Sequence, residues 1–401
     1  MIALLWPFEV PSRPSALLYH FVYLATTASE LNSAGIDCVV FDGGANISTK
    51  GDLLGLPWDE IDLCAIVSEP SCFLETIELL NLVKSIPGSR LSTCIGTTAT
   101  LLGDSLFQYG FDSVWRPNER SISEYLVGLV EGNHCIEVPI RAPMLDKVPY
   151  EQYFSLRRKR EVTIEIARGC RFSCYFCNAW RNYGNSENYI DIDEIGRFIV
   201  GNSHSYSTIG LYAPNASANR EWFREFLGLA SRTKTTWKAT IAPSLLGVWD
   251  LELLSKSGCY EICIGVETFD VAKNRIDKPI LESQILDIVH RLRLSNIIAK
   301  CYLVSGLPGA SVEGLLYTAE RLRAAGGQTR INQYVDYEKF ISNPVEYSLG
   351  GKSNRGLFWS SVKPISTQLI SWQNKIPSLE NENDVHEYDN YKLNLEAEKD
   401  V

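Results

Sequence analysis

The chain has 401 residues, of which 45% are hydrophobic and 21% charged, and its formal net charge is -10 at pH 7. This composition is typical of a globular enzyme with enough material for two ordinary domains. The negative charge disfavours a large nucleic acid as the substrate, because no general phosphate-binding surface is expected. No apolar run is long enough to predict a membrane span.

The apolar start, Met1–Trp6, lacks a preceding basic region and is cut short by Pro7. It predicts a buried first strand rather than a signal peptide, so we expect a cytoplasmic protein.

Residues 1–135 alternate short apolar runs with helix-like segments. The runs predict strands at Ile2–Trp6, Cys38–Phe41, Leu63–Val67, Leu91–Ile95 and Ser113–Trp115, and the longest helices between them at Ala16–Ala34, Phe73–Ser85, Ala99–Tyr109 and Ile122–Glu131. This alternation predicts a doubly wound α/β domain with a parallel sheet and helices on both faces. Ligands of such folds lie beyond the carboxyl ends of the strands, which here carry Pro7, Ser68, Ser71, Gly96, Thr97 and Thr98.

Residues 136–160 have the features of a linker, with Pro139, Pro143 and Pro149 and a closing run of basic residues. Residues 161–335 repeat the alternation in six β/α units, which predicts a partial TIM-like (β/α)6 barrel with its reactive face at the carboxyl ends of the strands. Residues 336–401 form an irregular C-terminal region, and its end from Glu380 onward, with eight acids and two lysines, predicts a loosely docked acidic tail.

The strongest chemical signal is the segment Ala167–Cys177, which holds Cys170, Cys174 and Cys177 in C-x3-C-x2-C spacing directly after the first strand of the second block. Thiolates are the ligands of iron–sulfur clusters, and three of them leave one iron of a cubane open. The alternatives are three buried thiols or a zinc site. A zinc site needs a fourth Cys or His nearby, and His204 is too far along the chain.

With Phe176 as the aromatic before the last cysteine, this loop resembles the signature of the radical S-adenosylmethionine (SAM) superfamily. The resemblance implies a [4Fe–4S] cluster on Cys170, Cys174 and Cys177 whose open iron chelates SAM. It also implies reductive cleavage of SAM to a 5′-deoxyadenosyl radical that abstracts hydrogen from the substrate.

Two later segments are similar to the same family, Gly265-Val266-Glu267 at the end of one strand and Gly306-Leu307-Pro308-Gly309 after the next. The resemblance implies SAM contacts from Phe176, Ala213, Asn215, Ser217, Glu267 and Ser305. The family usually has an acidic segment after the second strand that binds the SAM amino group. This chain has Ala213-Pro214-Asn215-Ala216-Ser217 at that position instead.

The N-terminal block resembles the B12-binding domain of the cobalamin-dependent subfamily. This implies a cobalamin held near Pro7, Ser68, Ser71, Gly96, Thr97 and Thr98. Only one glycine, Gly96, stands where relatives often have two, and no histidine lies in an Asp-x-His-x-x-Gly context, which argues against a histidine-ligated cobalt. A domain that kept its fold and lost its ligand is the alternative.

The leading hypothesis is a cobalamin-dependent C-methyltransferase that acts on a small natural-product intermediate and takes electrons from an external donor such as flavodoxin or ferredoxin. The alternatives are a radical SAM enzyme without methyl transfer and a non-catalytic iron–sulfur or cobalamin sensor. Aromatic and polar residues near the predicted barrel mouth are candidate substrate contacts, namely Tyr183, Tyr212, Trp237, Gln333, Tyr334 and Tyr337.

Overall fold

The computed structural model describes residues 1–8, 18–44, 47–117, 120–132, 137–157, 159–270 and 281–348. Most of the predicted C-terminal region, with its acidic tail, lies outside these residues. In the described residues no helix combines the length and hydropathy that a membrane span requires.

The first sheet is parallel and has the strand order β2-β1-β3-β4-β5. Its strands are β1 (Ile2–Trp6), β2 (Cys38–Asp42), β3 (Leu63–Val67), β4 (Leu91–Ile95) and β5 (Ser113–Val114). The helices are α1 (Leu18–Ser33), α2 (Lys50–Leu54), α3 (Phe73–Ser85), α4 (Thr97–Leu102) and α5 (Ile122–Glu131). Since the strand order reverses beside β1, the crevice for a ligand lies at the carboxyl ends of β1 and β3.

After α6 (Tyr150–Arg157), the chain forms a second parallel sheet of six strands, in which the neighbours follow the order of the sequence. The strands of this half are β6 (Glu161–Glu165), β7 (Ala167–Arg168), β8 (Asn188–Tyr189), β9 (Thr208–Tyr212), β10 (Trp237–Thr240), β11 (Cys259–Glu267), β12 (Ile298–Ser305) and β13 (Gln328–Gln333). Of these, β7 and β8 form a separate antiparallel pair.

The described residues of this half also form eight helices. They are α7 (Ala179–Tyr183), α8 (Ile192–Asn202), α9 (Arg220–Thr233), α10 (Pro243–Leu246), α11 (Leu251–Lys256), α12 (Glu282–Leu294), α13 (Val312–Ala324) and α14 (Tyr337–Ser342).

The second sheet is strongly curved, as one hydrogen bond shows. The Tyr260 phenol on β11 donates to the Glu161 carboxylate on β6 at 2.7 Å, although β9 and β10 lie between these strands. Three strand spacings amount to about 14 Å in a flat sheet, from which side chains project at right angles. The sheet therefore curls into a partial barrel, and Tyr260 and Glu161 lie on its concave face.

The predicted fold class, a doubly wound domain followed by a partial barrel, is confirmed. A helix and a strand show the clearest differences in detail from the prediction. The helix predicted over Ala99–Tyr109 begins at Thr97 and continues as a 3-10 helix from Gly103, because Gly103 takes a positive φ of 49°. Strand β11 is longer at both ends than Glu261–Val266, and irregularities in its register beside Lys238 and Glu267 accommodate the added residues.

Candidate active site

The cysteine loop leaves the barrel at the carboxyl end of β6, and the β7–β8 pair closes its base. Gly169 has a φ of 88°, and a Cβ there would lie 1.9 Å from the carbonyl oxygen of Ser186. Glycine is therefore required at this position, both for the left-handed backbone and for the close approach. The next residue is fixed as well, since the Cys170 N–H donates to the Gly184 carbonyl at 3.1 Å.

The three predicted ligands lie on this one loop, with Cys170 and Cys174 buried and Cys177 half-buried. Side chains from the following segment hold the loop's carbonyls: Trp180 Nε1 donates to Cys174 O at 2.9 Å and Asn185 Nδ2 to Cys170 O at 3.2 Å. The described residues contain no three His, Cys, Asp or Glu side chains placed around one metal ion. A cubane does not require three ligands around one ion, because each thiolate binds a different iron. Three thiolates on one loop fit such a cluster.

Asn215 joins the loop after β9 to the cysteine loop. Its Nδ2 donates to Cys170 Sγ at 3.5 Å, and its Oδ1 accepts from the Ala242 N–H at 2.9 Å. The second bond fixes the orientation of the amide, so the nitrogen points to the sulfur. Asn215, a predicted SAM contact, therefore lies directly against a predicted cluster ligand.

Glu267 ends β11 in a strained conformation. Its φ is 63°, and the Thr268 N–H donates to the Val266 carbonyl at 2.9 Å, which makes Glu267 the centre of a γ-turn. This form of the turn, with positive φ, is rare and strained in non-glycine residues, and such strain concentrates at functional sites. The side chain is buried at the carboxyl edge of the barrel, where the SAM contacts were predicted.

The remaining predicted SAM contacts lie along the same edge. Ala213 and Ser217 follow β9 and are buried, and the Ser217 hydroxyl has no hydrogen-bond partner in the described structure. Ser305 ends β12 and donates to the Asn332 carbonyl at 3.2 Å. Phe176 is half-buried, with its ring 5.4 Å from that of Tyr175.

The residues predicted to hold cobalamin serve several different purposes. Gly96 has a φ of 93°, and a Cβ there would lie 2.9 Å from the Ser68 carbonyl oxygen, so backbone packing alone requires this glycine. Pro7 and Ser68 are buried, whereas Ser71 is exposed on a short 3-10 helix. The Thr98 hydroxyl is buried without a hydrogen-bond partner in the described structure.

Thr97 connects the two halves of the molecule. Its hydroxyl accepts from Asn178 Nδ2 at 2.9 Å and from Asn182 Nδ2 at 3.1 Å, and both asparagines directly follow the cysteine loop. Sequence reasoning missed both asparagines. Their spacing of four residues, which places two side chains on one helix face, was the available signal.

A buried ion network behind the cysteine loop was also missed. Arg168 Nη2 lies 2.8 Å from Glu30 on α1 and 2.6 Å from Glu165 at the end of β6, and all three side chains are at most 8% exposed. Burial raises the pKa of Glu30 to about 7, against the lowering effect of Arg168, since removal from water disfavours the charged form. The network joins α1 to the base of the cysteine loop.

The prediction that Trp237 contacts the substrate at the barrel mouth is wrong. It begins β10 at the amino end of the strand and is fully buried, with its Nε1 donating to Ser257 O. Its ring packs against Phe223 and Phe226 under the helices. It therefore belongs to the core and not to the barrel mouth.

The other aromatic candidates lie toward the mouth or between the sheets. Tyr212 ends β9, and Tyr334 lies 6.1 Å from the ring of Tyr175 in the cysteine loop. The Tyr183 ring lies 5.6 Å from the Arg168 guanidinium and 6.0 Å from the Trp115 ring, and the Arg181 guanidinium lies 5.8 Å from the Tyr337 ring. The side chain of Gln333 lies outside the described structure.

Residues 164–322 match the radical SAM superfamily. Among curated proteins, none matches the chain in sequence. Among solved structures, the radical SAM methyltransferase TsrM from Kitasatospora setae, with cobalamin and a [4Fe-4S] cluster bound, is similar with a TM-score of 0.65 and 14% identity, over 83% of this chain and 74% of that one.

The structure of the same methyltransferase with tryptophan and a SAM analogue gives a TM-score of 0.64 at 14% identity, over 83% of this chain and 72% of the other. The cobalamin-dependent SAM radical enzyme OxsB, with aqua-cobalamin bound, gives 0.60 at 12% identity, over 86% of this chain and 56% of its own length. At these identities the similarity establishes a shared fold. The family match goes further and implies a [4Fe–4S] cluster and SAM as cofactors. Residues 164–322 therefore form a radical SAM domain.

Proposed function

We propose that this chain is a cobalamin-dependent radical SAM methyltransferase that transfers a methyl group to a carbon of a small molecule. One observation carries the proposal. The helix that directly follows the cysteine loop donates two hydrogen bonds, from Asn178 and Asn182, to Thr97 at the carboxyl edge of the first sheet. A cofactor bound at that edge would therefore lie beside the cluster and the barrel mouth.

Two unpartnered polar atoms support a ligand at this junction. The Thr98 hydroxyl and Asn182 Oδ1 are buried, and neither has a hydrogen-bond partner in the described structure. Buried polar groups are normally satisfied, so each of these atoms calls for a partner. The amide side chains of a corrinoid would supply the donors that both oxygens lack.

Cys170, Cys174 and Cys177 would hold the cluster, and Glu267, Asn215 and Ser217 would surround SAM. When bound, the cluster supplies one-electron reduction of SAM and cobalamin carries the methyl group. The chain itself positions and shields these groups. Asn215 donates to the Cys170 sulfur and withdraws electron density from it, which raises the reduction potential of a cluster. The half-buried Cys177 marks the exposed side of the loop, where we expect an external donor to deliver electrons.

The test is cofactor content after anaerobic purification from cells supplied with cobalamin. We expect about four iron, four sulfide and one cobalt per chain, as for one cubane and one corrinoid. With a strong reductant and SAM, the protein should then form 5′-deoxyadenosine and transfer a methyl group to a substrate. A fully reconstituted protein that forms no 5′-deoxyadenosine contradicts the enzyme assignment.

Iron without cobalt favours a second candidate, a radical SAM enzyme that does not transfer methyl groups. The observation in its favour is that residues predicted to hold cobalamin at the edge of the first sheet have structural roles or are exposed. Gly96 is needed for backbone packing, Thr97 bonds to the asparagines, and Ser71 is exposed. Such an edge can persist for the contact between the two halves after the ligand is lost.

A further inference from the structure

The concave face of the barrel is polar over most of its depth. In β6, β10, β11 and β12 the alternate residues on this face include charged side chains, while the opposite residues, such as Ile164, Ala239 and Leu303, are buried under the helices. The face carries Glu161, Lys238, Glu261, Cys263, Lys300 and Tyr302. A barrel lined in this way can admit a polar molecule, because its interior is not filled by apolar side chains.

The bottom of this interior is tightly closed. The Glu161 carboxylate lies 2.7 Å from Lys238 Nζ and 3.0 Å from Lys159 Nζ, and it accepts from Tyr260 at 2.7 Å. These are the distances of charge-assisted hydrogen bonds. Glu161 and its three partners therefore close the barrel at the amino ends of the strands, and we call this layer the floor.

The layer above the floor is different, because its contacts are long. The Glu261 carboxylate lies 3.8 Å from Lys238 Nζ and 4.0 Å from Lys300 Nζ, and it accepts a hydrogen bond from the Cys263 thiol at 3.6 Å. Contacts of this length are not hydrogen bonds to nitrogen. An ammonium has three donors and a carboxylate has about four acceptor positions, so both groups retain unused capacity. Two glycines on the same face, Gly210 and Gly265, add no side chain to the interior.

From this contrast we infer that Glu261 and Lys300 bind the ammonium and carboxylate groups of an α-amino-acid substrate. The inference rests on the proposed function, since it assigns the substrate class of the same active site. A zwitterion fits because it satisfies both loosely paired groups at once, whereas a simple anion would satisfy only Lys300. Glu267 follows Glu261 by six positions, which is roughly 20 Å of extended strand. A large side chain, as in an aromatic or long amino acid, would therefore extend further toward the mouth than that of glycine or alanine.

The test is calorimetric binding of the twenty standard amino acids to the holoenzyme in the presence of SAM. The tightest ligand is then compared with its decarboxylated amine and its deaminated acid. We expect large side chains to bind more tightly than glycine and alanine. Lys300→Met should weaken binding of the amino acid and of the deaminated acid by roughly 10- to 100-fold, and Glu261→Gln should do so for the amino acid and the amine.

The exposed ion pair between Lys256 and Glu252 on α11 supplies matched controls, since Lys256→Met and Glu252→Gln remove the same charges outside the barrel. Both controls should bind the amino acid as the unaltered protein does. Failure of all twenty amino acids to bind, or equal loss of both analogues in both barrel variants, overturns the inference. SAM-dependent 5′-deoxyadenosine formation, measured on the same samples, separates this outcome from failure of the proposed function.

Discussion

The two sheets of this molecule are both parallel, yet they offer a ligand different surfaces. In the first sheet every residue of β1 and β3 is buried, because helices cover both faces. In the second sheet the strands alternate, with apolar residues under the helices and polar residues on the concave face, as in Glu161–Glu165. An open, doubly covered sheet can bind a ligand only at its edge, whereas a curled sheet can also bind one inside.

The difference explains where the proposed functional residues of each half lie. The first sheet presents its polar groups at the carboxyl ends, where Thr97 receives the two asparagines. The second sheet uses both its edge, which carries the cysteine loop, and its interior, which carries Glu261 and Lys300. Substitutions in each half should therefore separate effects on cofactor binding from effects on the stability of the fold.

The largest effect is expected for Cys174→Ala. Removal of one of three thiolates should abolish cluster assembly and all SAM cleavage, because an iron loses its protein ligand. The control is Cys301→Ala, a buried thiol on the apolar side of β12, which should retain the cluster. Iron and sulfide content, absorption near 400 nm (roughly, for thiolate-ligated iron) and 5′-deoxyadenosine report the outcome. A Cys174→Ala protein with a full cluster would show that the ligand assignment is wrong.

Gly169→Ala should have the next largest effect on the cluster. The added Cβ meets a backbone oxygen at 1.9 Å, and the left-handed φ is unfavourable as well, so the start of the cysteine loop must shift. We expect severalfold less iron and less 5′-deoxyadenosine. Gly35→Ala is the matched control, since Gly35 has a φ of 79° but no atom within 4 Å of the added Cβ. Equal cluster content in the two variants would contradict the steric argument.

Arg168→Met tests how the two halves are joined. The substitution leaves Glu30 and Glu165 buried without their cation, and breaking a buried ion pair in this way costs about 3–5 kcal/mol. Denaturant unfolding should show a clearly lower midpoint. Arg160→Met, which breaks an exposed pair with Glu151, should change the midpoint little. Similar midpoints for both variants would mean that the network does not stabilise the folded state.

Much of the fold could be predicted from the sequence, because apolar runs of about five residues between helix-like segments indicate parallel strands directly. The cysteine loop was equally visible, since its spacing is local. Contacts between distant segments were not predictable in this way. Glu30 and Arg168 are 138 residues apart in the chain, and nothing near either residue indicates the other.

The wrong assignment of Trp237 has a physical reason that the sequence did contain. The residue is the first of its strand, so it lies at the amino end, opposite the reactive edge. The charged residues of the barrel interior were also visible as an alternation in Glu161–Glu165 and Lys238–Thr240. Their pairing depends on the curvature of the sheet, which brings β6 within reach of β11.

The smallest effect is expected for Asp42→Asn, in the half that contains no cysteine loop. Burial raises the pKa of Asp42 from 3.8 to about 6, while hydrogen bonds from Tyr153 and the Gly44 N–H oppose the shift. The folded state therefore holds this proton more tightly than the unfolded state, and stability falls as the pH rises from about 4 to 6.

Asparagine has no proton to lose, so the stability of the variant relative to the unaltered protein should rise over the same window, by on the order of 2–3 kcal/mol. We expect the variant to retain a decline in stability toward pH 7, because the pKa of Glu30 is also raised, to about 7. Unfolding midpoints measured from pH 4 to 8 give the difference between the two proteins. A difference that does not change between pH 4 and 6 would show that Asp42 is already ionised in the folded protein, and that burial at the end of β2 is less complete than the structure has it.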